Sequence, residues 1–139
     1  MKRLIAIALL SLASLLTAGV AMAADRGAQA NVPFAFNVGD KVFPAGVYIV
    51  HSPASGIIQL RSEDRANSVL TTAYNDSNEP MNGEGVWVFN RYGDKYFLTE
   101  VLCPNALVSL HLPTTKQERM VRINEATLST PTQVLVAAK

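Results

Sequence analysis

From Asn31 to His111 apolar and polar side chains mostly alternate with a period of two, the pattern of strands with one buried face. In NVPFAFNV, Val32, Phe34, Phe36 and Val38 alternate with Pro33, Ala35 and Asn37. Pro33 has no N–H to donate, so this strand is expected to begin at a sheet edge or with that position facing outward. Gly39-Asp40 turns the chain into a short strand, Lys41 to Phe43. In Pro44-Ala45-Gly46 a fixed Pro φ and a Gly tolerant of positive φ suit a type II turn. VYIVH, IIQLR and SVLTTAY follow, separated by turns at 53–56 and 62–67. After the polar loop NDSNEPMNGEG, 75–85, come GVWVFNR and KYFLTEVLC, joined by the hairpin loop Gly93-Asp94. That loop sets Arg91 opposite Tyr96, Phe89 opposite Leu98 and Trp87 opposite Glu100. Trp87, Phe89, Tyr96, Leu98 and Leu102 then share one face, and Val86, Val88, Phe97, Val101 and Cys103 the other. With both faces apolar, the hairpin belongs in the middle of the fold, covered on both sides or wrapped into a barrel. ALVSLHL, 106–112, reads as one more strand.

At LPTTKQERMVRINEA the period changes. Thr115 and Glu118 stand at capping-box spacing and predict a helix over 115–125, with Met120 and Ile123 facing inward. The tail TQVLVAA has strand character and no charge before Lys139. As a strand it must close its own sheet or find the edge of another chain. In the second case, removing 131–139 leaves a folded monomer that no longer self-associates. Short strands with regular Gly and Pro punctuation predict a mainly β fold, a single antiparallel β-sandwich or small barrel with a short C-terminal helix.

The first residues change the picture of the mature protein. Lys2 and Arg3 precede an apolar run that ends in Ala21-Met22-Ala23, an A-x-A cleavage site, so 1–23 reads as a secretory signal peptide. Cleavage leaves 116 of the 139 residues, one ordinary domain: a β unit with its helix over 24–125, then a tail over 126–139. Without Lys2 and Arg3 the 12 basic side chains become 10 against 11 acidic ones, a net charge of −1 with His neutral. Bulk charge therefore recruits neither nucleic acid nor an acidic membrane, and no integral span is expected in the mature chain. The expected location is the periplasm or the extracellular space. Cys103 is the only cysteine, so no intramolecular disulfide forms and stability must come from the core.

The polar residues offer few constellations. Glu63 and Asp64 are adjacent in a turn, where side chains diverge rather than converge on one bond. His51 and His111 have no activated Ser or Cys nearby, no G-x-S-x-G is present, and Cys103 lies in an apolar strand without a base. No catalytic residue, metal centre or cofactor is assigned. Asp76, Asn78 and Glu79 are hard oxygen donors of the kind calcium takes, without EF-hand spacing, and are only weak metal candidates. Binding candidates cluster at the hairpin: Tyr92, Tyr96, Trp87, Arg91 and Glu100. Tyr92 at the tip is the aromatic most expected to be exposed for stacking on a polysaccharide. Glu100 is expected on the same face as Leu98, needing a partner if buried.

VPFAFNVGDKVFPAGVYIV, FNRYGDKYFLTEV and LPTTKQE, as a set over most of 31–118, resemble a family of small exported bacterial β-proteins of uncharacterised function. Its pattern is VPFxFxVGxxxxPAGxYxV, then RYGxxYFLxEV, then LPxxxxE. After the hairpin this chain departs from it, with Leu102 where an aromatic is common and a longer tail to Lys139. The resemblance implies a compact β domain with a short C-terminal helix and supplies no catalytic residues. Residues and resemblance together point to a non-enzymatic binding or structural module of the cell envelope. Its expected partner is a second copy or an envelope protein met through an edge strand, or a polysaccharide. The alternatives are a small hydrolase or isomerase with Glu100, Tyr96 and Arg91 at a barrel mouth, or a small-ligand carrier with a hollow interior.

Overall fold

The computed structural model describes residues 27–75, 83–125 and 131–139. Their strands are β1 (Ala28–Val32), β2 (Phe36–Val38), β3 (Lys41–Phe43), β4 (Gly46–Ala54), β5 (Ile57–Ser62), β6 (Ser68–Thr72), β7 (Tyr74–Asn75), β8 (Gly85–Tyr92), β9 (Lys95–Cys103), β10 (Val108–His111) and β11 (Thr132–Ala138). One helix, α1 (Lys116–Glu125), precedes β11. All strands join one sheet in the order β3-β2-β9-β8-β11-β1-β4-β5-β6, and β10 links β9 to β7. Because β7 follows β6 almost directly, the β7–β10–β9 link brings the sheet back on itself. The result is a mainly β, nearly closed barrel carrying one short helix. At the remaining gap β3 and β6 face each other unpaired.

The alternating residues fill the barrel. Phe36, Phe43, Tyr48, Val50, Ile58, Leu60, Trp87, Phe89 and Val101 are fully buried in one cluster. Phe36 sits at its centre, edge-on to Tyr48 (centroids 5.1 Å) and to Phe89 (5.4 Å). A small barrel has room for little more than such side chains. The hairpin closes at Gly93, whose φ of 57° is the positive value its loop requires.

Several expectations are corrected. NVPFAFNV forms two strands rather than one: β1 ends at Val32, and the chain crosses at 33–35 to β2, which pairs β9 in parallel. Pro33, which cannot donate to a ladder, is where the first strand stops. Gly46 does not adopt positive φ; it opens β4, and the corner before it is held by the Tyr48 hydroxyl donating to the Pro44 carbonyl (2.6 Å).

The hairpin register agrees at Arg91–Tyr96 and Phe89–Leu98 but then shifts, so that Val88 faces Glu100 and Trp87 faces Val101. Thr99 is the extra residue of a bulge, and its hydroxyl donates to the Val88 carbonyl (3.0 Å). Without it Glu100 would enter the barrel beside Trp87, at the cost of burying a carboxylate. With it, Val101 enters and Glu100 turns out.

The tail is neither free nor at an edge. β11 pairs β8 over seven consecutive residues, Thr132 with Arg91 through Ala138 with Gly85, and its end meets β1 at Ala30. Gln29 and Lys139 exchange backbone hydrogen bonds of 3.0 and 2.8 Å. Gly85 is needed at this junction, since a Cβ there would lie 2.8 Å from both the Ala138 carbonyl oxygen and the Cys103 sulfur. Deleting 131–139 would therefore strip β8 of a neighbour and open the barrel. A cooperative thermal transition by circular dichroism is expected for the full-length tail and none for the deletion. A cooperative melt in the deletion would show that β11 is dispensable.

Candidate functional site

The hairpin tip does not gather the polar residues that the sequence places there. Arg91 is exposed; its Nε donates to the Gly93 carbonyl (2.8 Å), and its guanidinium lies 5.6 Å from the Tyr96 ring centre. Tyr96 is half-buried and stacks on Phe34, with centroids 3.9 Å apart. Phe34, carried by the crossing segment 33–35, also packs edge-on against Phe89 at 5.2 Å. The bulge sends Glu100 to the opposite face of β9, where it lies across from His111 with Oε1 3.8 Å from Nδ1. That contact is ionic only when the imidazole is protonated. Glu100 is therefore not assembled with Tyr96 and Arg91.

The expected aromatic platform is also revised. Trp87 is wholly buried. Tyr92 is not exposed at the tip but 5% accessible, packed against Phe97. What covers its side of the hairpin is α1. The Thr115 hydroxyl accepts from the Glu118 N–H (3.0 Å), as the capping spacing requires. Met120 and Ile123 nevertheless face solvent, at 57% and 68% accessibility, and the inward residue is Glu118 at 3%.

Glu118 docks the helix. Its Oε1 accepts from the Asn90 amide (3.1 Å) and from the Tyr92 hydroxyl (3.3 Å). Burial, followed by the negative charge of Glu118, raises the Tyr92 pKa above its ordinary value. Beneath the helix start lies a cavity of about 30 Å³, lined by Asn37, Thr71, Thr115 and Glu118 among others, with room for a single water. Glu118 entered the sequence analysis only as a capping partner. The signal of its inward position was present, because Lys116, Arg119 and Arg122 interleave with Met120 and Ile123, and a face holding three cations is not buried cheaply.

Elsewhere, an open cleft of about 210 Å³ lies between the 44–48 corner and the 62–67 turn. Asp64 borders it, but its carboxylate is committed to its own turn, accepting from the Ser62 hydroxyl and the Ala66 N–H (3.0 Å), which lower its pKa. Glu63 is exposed beside it. His51 on β4 is half-buried, and its Nδ1 finds no hydrogen-bond partner among the described residues. Asp76, Asn78 and Glu79 lie outside the described residues; within those, no three His, Cys, Asp or Glu side chains group as a metal site. No helix among them is long and apolar enough to cross a membrane.

Cys103 is buried beside Trp87, whose indole N–H has no well-formed acceptor among the described residues. Burial pushes the thiol pKa from 9.0 up to about 11, against smaller lowering effects of the Trp87 and Val86 N–H groups.

Compared with models of known protein families, with curated proteins and with solved structures, the chain matches none.

Two predictions follow from this geometry. Glu118→Ala strands the Asn90 and Tyr92 donors and is expected to lower stability by about 1–3 kcal/mol in urea unfolding, with Glu118→Gln closer to wild type. No difference between Ala and wild type would remove the docking role. Cys103 is expected to resist alkylation until the chain unfolds. Its raised folded pKa favours the protonated fold, so its contribution is complete below pH 9 and is lost as pH rises through about 11. Cys103→Ala should flatten that part of the alkaline stability curve; an unchanged curve would rule out the linkage.

Proposed function

We propose that the chain is an exported, non-enzymatic binding or structural module of the bacterial cell envelope, working through an open strand edge. Export is supported by the signal-peptide character of residues 1–23, and the module class by the resemblance carried by the motifs over 31–118. With the barrel interior filled by side chains, recognition falls to the outer surface.

The observation that carries the proposal is the β3–β6 gap. Among the described residues β6 pairs only with β5, and β3 only with β2. Hydrogen bonds from Ser62 N–H to the Asn67 carbonyl and from Ala73 N–H to the Gly56 carbonyl fix the alternation along β6. Ser68, Leu70 and Thr72 therefore direct their backbone groups away from β5. An exposed side-chain bond between described residues spans the gap, from the Lys41 ammonium to the Ser68 carbonyl (2.9 Å). On either side Val42 and Leu70 are 60% and 63% accessible. An unpaired edge flanked by exposed apolar side chains is a template for strand addition, and a lysine there restrains it. The favoured partner is a second copy, meeting β6 edge to edge with Leu70 against Leu70.

Light scattering behind size exclusion on residues 24–139, with reductant present, tests this. A mass that grows with concentration is expected, larger for Lys41→Ala and reduced to monomer by Leu70→Lys. A monomer at every concentration for both wild type and Lys41→Ala would overturn self-association.

A further inference from the structure

The outward face of α1 combines features that the strand edge does not use. Spacing at 100° per residue sets Glu118, Val121 and Glu125 toward the barrel, and these are its buried or half-buried residues. The opposite pole carries Ile123, Lys116, Met120 and Arg119, with Arg122 on its flank, all exposed. Both acids of the helix are thus turned inward, Glu118 onto Tyr92 and Asn90 and Glu125 toward the Gly93 turn, while Lys116 and Arg119 remain outside beside an exposed Met–Ile pair and Arg122 lies on the flank, near enough to act on Tyr92. The amphipathic order is inverted relative to a helix that buries its apolar residues.

This surface is held in place rather than displayed by a loose segment. Thr115 caps the helix and Glu118 docks it, so Met120 and Ile123 stay outward although both would gain from burial. The pole's residues are all exposed on a single helix face, which a flat partner can meet at once. Apolar side chains flanked by cations match a layer whose interior is apolar and whose surface is negative.

We propose that the Lys116–Ile123 face of α1 is a peripheral docking site for an anionic lipid surface, with Met120 and Ile123 entering the headgroup boundary and Lys116 and Arg119 pairing with phosphates. The attraction is local: the mature chain as a whole carries a net charge near zero, and the helix concentrates the positive part. The helix start adjoins β6 at Thr71, but the outward pole shares no residue with the β6 edge, so either reading can fail without the other.

The test is co-sedimentation of residues 24–139, which hold every described element, with phosphatidylcholine vesicles and with vesicles containing phosphatidylglycerol. Binding to the anionic vesicles is expected to exceed binding to the neutral ones by about tenfold or more at about 0.05 M salt, and to weaken at about 0.5 M. Met120→Ser with Ile123→Ser, both at exposed positions, should abolish binding while the thermal transition is retained. Lys116→Glu with Arg119→Glu should do the same. No binding to anionic vesicles, equal binding to both kinds, or binding unchanged in either double variant would overturn the proposal. So would capture of polyglutamate without capture of vesicles, which would make the face a site for acidic protein.

Discussion

Seven residue pairs join β11, the last described strand, to β8, and the exchange between Gln29 and Lys139 joins its end to β1, the first described strand. The rest of the barrel depends on this junction. β8 carries Trp87 and Phe89 into the interior, and β1 carries Ala28, Ala30 and Val32; β11 holds the two walls in one sheet. Gly85 permits the close approach, because any side chain there would strike the Ala138 carbonyl and Cys103 together. A sheet that pairs its first and last described strands is rich in contacts distant in sequence, which makes its assembly slow relative to a helical domain of this length.

A second constraint acts on the polar residues. A filled barrel has no place for an unpartnered carboxylate, and each acid near the hairpin is handled separately. Glu100 is turned out by the Thr99 bulge to meet His111, and Glu118 is brought in with two donors waiting for it. The consequences reach the surface. The bulge separates Glu100 from Arg91 and Tyr96, which removes the carboxylate site that the spacing invites. Docking by Glu118 fixes the helix with its cations and apolar pair outside. Buried polar contacts at the hairpin therefore determine which residues α1 leaves exposed.

Period-two alternation identified the mainly β class, a sandwich or a small barrel, and the positive φ at Gly93 and the Thr115 cap were legible from residue type and spacing alone. What escaped was decided by balance among distant parts. A bulge leaves no mark in the pattern, yet one extra residue reverses which of Glu100 and Val101 is inside. Pro33 falls within a single strand of the alternation, so neither the break there nor the crossing that lets Phe34 stack on Tyr96 was legible. Tyr92 looked exposed because it borders a turn, and only the arrival of α1 buries it. The helix face was misjudged by weighing Met120 and Ile123 without the three cations between them. In β1, Ala28 and Ala30 alternate with Gln29 and Asn31, but the small apolar surface of alanine made that alternation a weak signal before Asn31.

Native-state hydrogen exchange on residues 24–139 tests the closing role of β11 most directly. The Val134 and Val136 amides, which face β8 in the alternating pattern, should exchange as slowly as the β8 and β9 amides, at the rate set by global unfolding. Exchange of Val134 and Val136 at the rate of an exposed loop, with β8 still protected, would mean that the barrel holds without its last strand, and would contradict the central place given to it.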